Sequence, residues 1–223
     1  MSRLLILGTS HIAKESVEQV RAAFENKPDI VALELDRARF FSIMNKNAGK
    51  VSLRDIKRIG FKGFLFAVIA SWGSRQLGKM VGVEPGDEMR QAIRLAKQNN
   101  VAIALIDQDI RITLQRFSKS LTWREKLNFL SDIFLGMFFR KREMKRLGIS
   151  DIDLSKVPSK EIIAKLLFRM RERYPNVYKV LVAERNEVMA KNLKMLLEAN
   201  PEKTILAIVG AGHEDELKQL ISC

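Results

Sequence analysis

Four short apolar runs, each closing on glycine or on acidic residues, constrain this chain more than any other feature. They are Leu4-Leu5-Ile6-Leu7 before Gly8, Ile30 to Leu35 with its ending Glu34-Leu35-Asp36, Val101 to Ile106 before Asp107-Gln108-Asp109, and Thr204 to Val209 before Gly210. Runs this short, without polar alternation, read as strands buried on both faces, which is the habit of a parallel sheet. Parallel strands need crossover connections, and the intervening sequence supplies helical periodicity. Thr9 or Ser10 can cap a first helix with apolar positions Ile12, Val17, Val20 and Phe24. Lys27-Pro28-Asp29 then turns the chain into the second run, and this short strand–helix–strand unit suggests that the first two strands pair in parallel.

The stretch from Arg37 to Asn99 reads as mainly helical, with Asp87 expected to cap a helix through Lys97. From Ile110 to Asn200 the pattern is helical again. Breaks are expected near Ser118-Lys119-Ser120, at 148–158 and at Tyr174-Pro175-Asn176, and a long helix is expected from Val177 to Leu197. A closing helix runs from Glu214 to Ile221. The expectation is one α/β domain over residues 1–223. It has a small, mostly parallel central sheet with long helical insertions at about 37–99 and 110–200.

Charge narrows the partners. The formal net charge is +13 and the isoelectric point is about 10. There is no zinc-finger spacing, no RNA-recognition aromatic motif and no helix-turn-helix signature, so no specific nucleic-acid partner is expected. A solvated basic surface is the default. A membrane-surface role would use the apolar stretches Phe61–Trp72 and Leu127–Phe139 with the basic segment Arg140 to Arg146. The charge-free run from Gly63 to Ser74 is too short to span a bilayer, which takes about 20 apolar residues. The single cysteine, Cys223, excludes an intramolecular disulfide, and no signal peptide is visible. A cytoplasmic protein, or a cytoplasmic domain associated with a membrane, is expected. Nothing in the sequence counts subunits, and a homodimer is compatible with it.

The protein has two histidines, and each follows a glycine by three residues at the end of an apolar run: Gly8-Thr9-Ser10-His11 and Gly210-Ala211-Gly212-His213. With 12 glycines among 223 residues, both would do so by chance about once in 350 such chains. Ligands of open α/β sheets bind outside the carboxyl ends of the strands. If the first and last strands are neighbours, His11 and His213 converge there. Glu34, Asp107 and Asp109 end runs at the same rim. Two histidines and one carboxylate are a familiar first-row metal set, and a neutral histidine pair also suits acid–base catalysis. Arg37, three residues after Glu34, can pair with it or clamp an anionic group. Arg185 and Asn186 interrupt an apolar helix, as a buried polar network or a site contact would. Glu88 reads as a first-turn acid that complements a helix dipole.

Taken in order, Gly8-Thr9-Ser10-His11, Val31-Ala32-Leu33-Glu34-Leu35-Asp36-Arg37, Pro85-Gly86-Asp87-Glu88-Met89, Leu105-Ile106-Asp107, Glu184-Arg185-Asn186 and Gly210-Ala211-Gly212-His213 resemble the TraB family. That family groups with the pheromone-shutdown proteins, and more distantly with Tiki metalloproteases, erythromycin esterases and haem-binding ChaN lipoproteins. The resemblance covers nearly the whole chain. It implies an α/β domain whose two histidines and strand-end glutamate line one cleft. His11, His213 and Glu34 are then candidate ligands of a divalent metal (Mn, Co or Zn) or catalytic groups, with Arg37, Glu88 and Arg185 in support. The chain departs from the family where Asp107-Gln108 stands in place of Asp-Arg, and where it stops soon after the last motif instead of continuing into hydrophobic segments. The function expected is a metal-dependent, peptidase-like or esterase-like hydrolase. The alternative is a protein that sequesters a peptide or a small hydrophobic ligand without turning it over.

Overall fold

The computed structural model describes residues 3–9, 14–45, 86–138 and 159–222. Expectations placed on His11, on the apolar run 63–74, on the basic segment 140–146, on the break at 148–158 and on Cys223 lie outside them. In chain order the described elements begin with β1 (Arg3–Thr9), α1 (Lys14–Phe24), β2 (Ile30–Leu33), α2 (Arg37–Met44), α3 (Asp87–Gln98) and β3 (Ala102–Leu105). There follow α4 (Ile110–Ser120), α5 (Trp123–Phe138), α6 (Lys160–Arg173) and α7 (Pro175–Tyr178). A π-helical turn (Lys179–Ala183) leads into α8 (Glu184–Glu198), β4 (Thr204–Gly210) and α9 (Glu214–Ser222).

The four apolar runs form one parallel sheet in the order β1-β4-β2-β3. This is the expected α/β class, with one topological correction. β1 and β2 are parallel but not neighbours, because β4 lies between them. The last strand thus becomes central, and the two glycine-histidine strands pair directly, Thr9 standing opposite Gly210.

Alternate side chains of β2 and β4 supply two cores. Val31, Leu33, Leu206 and Ile208 pack with Val20 and Phe24 of α1 and with Met89, Ala92, Ile93 and Ala96 of α3. Ile30, Ala32, Ile205, Ala207 and Val209 pack on the other face against Met189, Ala190 and Leu193 of α8 and Leu217 of α9. The i, i+3, i+4, i+7 spacing in α3 puts its four apolar residues on one stripe. Burying Met89 and Ile93 contributes about 1.5–3 kcal/mol each, so a charge at Ile93 would undo this layer. The strands expected to be buried on both faces are so only in the middle of the sheet. β1 and β3 are half-exposed over most of their length, being edges with a neighbour on one side only.

Local signals place the helix ends with two corrections. Gly86, not Asp87, precedes the first turn of α3; its φ of 89° is left-handed, which suits glycine. Asp87 is instead the first helical residue and pairs with Arg90. The break expected at 118–120 falls later, at Leu121-Thr122. There Thr122 and Glu125 cap each other: Thr122 N–H donates to Glu125 Oε2 at 3.0 Å and Glu125 N–H to Thr122 Oγ1 at 3.3 Å. The helix expected from Val177 to Leu197 is continuous but contains the π turn just before Arg185. One extra residue in a turn rotates all that follows by about 100°. No helix among the described residues is long and apolar enough to cross a membrane.

Candidate functional site

Because all four strands are parallel, their carboxyl ends share one rim. β2 leaves the ladder at Glu34, whose N–H still donates to Ile208 O at 3.0 Å. Its side chain then replaces the missing strand: Glu34 Oε2 accepts the Gly210 N–H at 2.5 Å. β4 turns immediately, with Ala211 N–H donating to Thr9 O and His213 N–H to Gly210 O, both at 2.8 Å. His213 closes the turn and accepts, through its carbonyl, the Leu217 N–H of α9. Gly8 is what lets β1 lie so close to this turn. A Cβ there would come 3.1 Å from the Ala211 Cα and would collide with the Glu214 carboxylate.

The centre of the site is a guanidinium most of which is covered, the Arg185 side chain being 15% exposed. Arg185, presented by the first turn of α8 after the π turn, donates from Nη2 to Glu34 Oε1. It also donates from Nε and Nη2 to the two oxygens of Asp107, at 3.1 and 2.7 Å, and from Nη1 to Leu181 O at 3.2 Å. Glu34 and Asp107 are almost wholly excluded from solvent, with side chains 3% and 0% exposed. Burial alone would loosen the guanidinium's proton, but the Glu34 and Asp107 carboxylates outweigh it and hold Arg185 above the ordinary arginine range. Arg39 pairs with the same Asp107 oxygen, Oδ2, and with Asp36 at 3.0 Å. Asp36 in turn caps α2 through the Arg39 N–H and accepts the Ile110 N–H at 3.1 Å.

His213 lies at the edge of this cluster and is 8% exposed. Its Nε2 is 3.3 Å from Arg185 Nη1 and 3.5 Å from Glu34 Oε1. Its Nδ1 is 2.6 Å from Asn186 Oδ1, and Asn186 Nδ2 donates to Glu216 Oε2 at 2.7 Å. The Tyr178 hydroxyl donates to the same glutamate oxygen at 3.2 Å. Burial first, and then the Glu216 charge, raise Tyr178 above the ordinary phenol range.

Of the residues singled out from sequence, Glu34, Asp107, Arg185, Asn186 and His213 are brought together. His11 lies outside the described residues, two positions beyond the end of β1. Arg37 is exposed at the start of α2, and the guanidinium on Glu34 comes from Arg185 instead. Glu88 is in the first turn of α3 as expected, yet fully buried. Asp109 caps α4 through the Arg111 N–H. Sequence reasoning missed Arg39, Tyr178 and Glu216. Two of these carry a signal: Arg39 stands three residues after a capping aspartate, and Glu216 three residues after His213, one helical turn on.

The described donors permit a test of the expected metal. Nε2 of His213 and Oε1 of Glu34 are spaced as two ligands of one tetrahedral ion would be, since bonds of about 2.1 Å place ligand atoms roughly 3.4 Å apart. Both atoms already face the Arg185 guanidinium, and a dication would have to share them with a fixed positive charge. In this arrangement Glu34 and His213 by themselves do not make a metal site; His11, the third expected ligand, lies outside the described residues. Among the described residues no three histidine, cysteine or carboxylate side chains form a metal-sized group.

A profile of the TraB/PrgY/gumN family matches residues 2–215. An uncharacterised protein of Methanocaldococcus jannaschii is 35% identical over 94% of this chain and 51% of its own length. TraB domain-containing proteins of mouse and human are each 24% identical over 95% of this chain and 61% of theirs. The chain thus spans about half to three-fifths of the length of these relatives. With the family profile covering nearly the whole chain and a relative 35% identical over 94% of it, the chain belongs to the TraB/PrgY/gumN family.

Proposed function

We propose that this rim is a hydrolytic centre for peptide or ester bonds, acting in a reducing compartment. The observation that carries the reading is the pairing of a buried histidine nitrogen with a largely covered guanidinium 3.3 Å away, backed by carboxylates that keep the guanidinium charged. A base and a fixed cation side by side are two parts that water attack on a carbonyl uses. In this reading the substrate carbonyl draws the Arg185 Nη1–H away from His213 Nε2, and the freed Nε2 takes a proton from water as the water oxygen bonds to the carbonyl carbon. The same N–H then faces the oxyanion of the tetrahedral intermediate. Collapse expels the amine or alkoxide, which recovers the proton from Nε2. Glu34 and Asp107 orient Arg185.

Metal dependence is the point on which Arg185 can be tested. Calorimetry with Mn, Co and Zn, alongside turnover of chromogenic esters and a peptide library, separates the readings. Turnover that survives chelator and is lost in both His213→Ala and Arg185→Met supports the guanidinium centre. One tightly bound divalent ion, lost in His213→Ala, would show that Arg185 gives way to a metal and would return the weight to a metalloprotease-like mechanism. A peptide that binds and is recovered intact after long incubation would instead support sequestration.

A further inference from the structure

We infer that Asn186 and Glu216 are positioning residues that fix the tautomer of His213, with the proton on Nδ1 and the lone pair on Nε2; its catalytic consequence rests on the hydrolytic reading above. The argument begins at Glu216. An ionised carboxylate only accepts hydrogen bonds, so the Asn186 atom 2.7 Å from Oε2 must be the amide NH₂. Tyr178, donating to the same oxygen, holds that carboxylate in place. The other end of the amide is then Oδ1, which can only accept. It lies 2.6 Å from His213 Nδ1, so Nδ1 must carry the proton.

The far side of the ring gives the same answer independently. Arg185 has donors and no acceptor, and its Nη1 faces Nε2 at 3.3 Å. A proton on Nε2 would set N–H against N–H. Free histidine favours the opposite tautomer, with Nε2 protonated and useless as a base there. The acidic residue at 216, which the sequence reading passed over, therefore acts on Nε2 through Asn186 and the imidazole ring without touching Nε2 itself.

The test reads the ring directly and needs no substrate. The protein has only two histidines, so a two-bond proton–nitrogen correlation spectrum of the ¹⁵N-labelled chain at pH 7 contains two rings, with His213→Ala assigning them. The expected wild-type spectrum shows a pyrrole-like Nδ1 and a pyridine-like Nε2 for His213. Glu216→Gln gives the Asn186 amide a partner that can also donate, so the amide can turn over. The preference for Nδ1–H should fall about tenfold, one hydrogen bond's worth. Asn186→Leu should lose it as well, and Glu216→Gln, which is isosteric, keeps the test available if that variant does not fold. A wild-type His213 protonated on Nε2, or a Glu216→Gln spectrum identical to wild type, would overturn the inference. Because the readout is spectroscopic, an absence of hydrolysis would defeat the proposed activity and leave this result standing.

Discussion

Replacing Arg185 with methionine, which keeps most of the side-chain volume and removes the charge, should be among the most damaging single changes in the protein. Glu34 loses its Nη2 partner and Asp107 loses two donors. Asp107 keeps Arg39 and the Gln108 N–H at 2.7 Å, and Glu34 keeps the Gly210 N–H and the His213 ring. Both buried anions lose the cation they share. Removing one partner of a buried ion pair costs about 3–5 kcal/mol, a large share of a typical stability of about 5–15 kcal/mol. In urea, with a slope of about 2 kcal/mol/M, a loss of 4 kcal/mol moves the midpoint down by about 2 M.

Adding Glu34→Gln to Arg185→Met should recover about 2 kcal/mol at pH 7 by removing the uncompensated charge. Urea titrations of the three proteins at pH 7 decide it. A deficit below about 1 kcal/mol, or no recovery in the double variant, would show that the cluster is not the tightly coupled ion network described above.

Two further changes test the frame of the site. Glu125 is buried and accepts from Thr122 at one helix start and from Asn176 N–H, at 2.8 Å, at another. Burial raises its carboxyl, but these hydrogen bonds together outweigh that and leave it below the usual range. Glu125→Gln should cost about 1–2 kcal/mol at pH 7. Because the folded pKa is depressed, the contribution is present above the unfolded value of about 4.3 and is lost as pH falls through the folded value, so urea midpoints of variant and wild type should converge at low pH. Gly8→Ala should cost about 1–3 kcal/mol, since Ala211 offers backbone and cannot swing aside; an unchanged midpoint would mean that the turn before His213 has room to move.

The parts of this molecule that were legible in the sequence are those that depend on local pattern. Apolar runs gave the strands, because burial on both faces forbids polar alternation. Strand-end acids and histidines gave the rim, because parallel strands all end on one side. The sheet order is a different kind of fact. β4 enters between β1 and β2 by pairing across about 200 residues, and no local periodicity records that choice. The same limit explains the exchange of arginines at Glu34. Spacing offered Arg37, the nearest cation in sequence, but as the first residue of α2 it is exposed while Asp36 beside it serves as the cap. The cation that reaches Glu34 comes from 151 positions away, aimed by a π turn whose residues Lys179–Ala183 look like ordinary helix in the sequence.

Arg185 and Asn186 stood out only as polar residues in an apolar stretch, which predicts that they are satisfied but not by whom. Their partners turn adjacent residues to different tasks. Arg185 faces two carboxylates and one side of the imidazole; Asn186 faces the other side. A single α8 turn thus grips His213 at both nitrogens. For that reason the register of α8 relative to the strand ends matters to the chemistry more than any one contact does: a helix without the extra residue at the π turn would rotate one of the two residues out of reach of the ring.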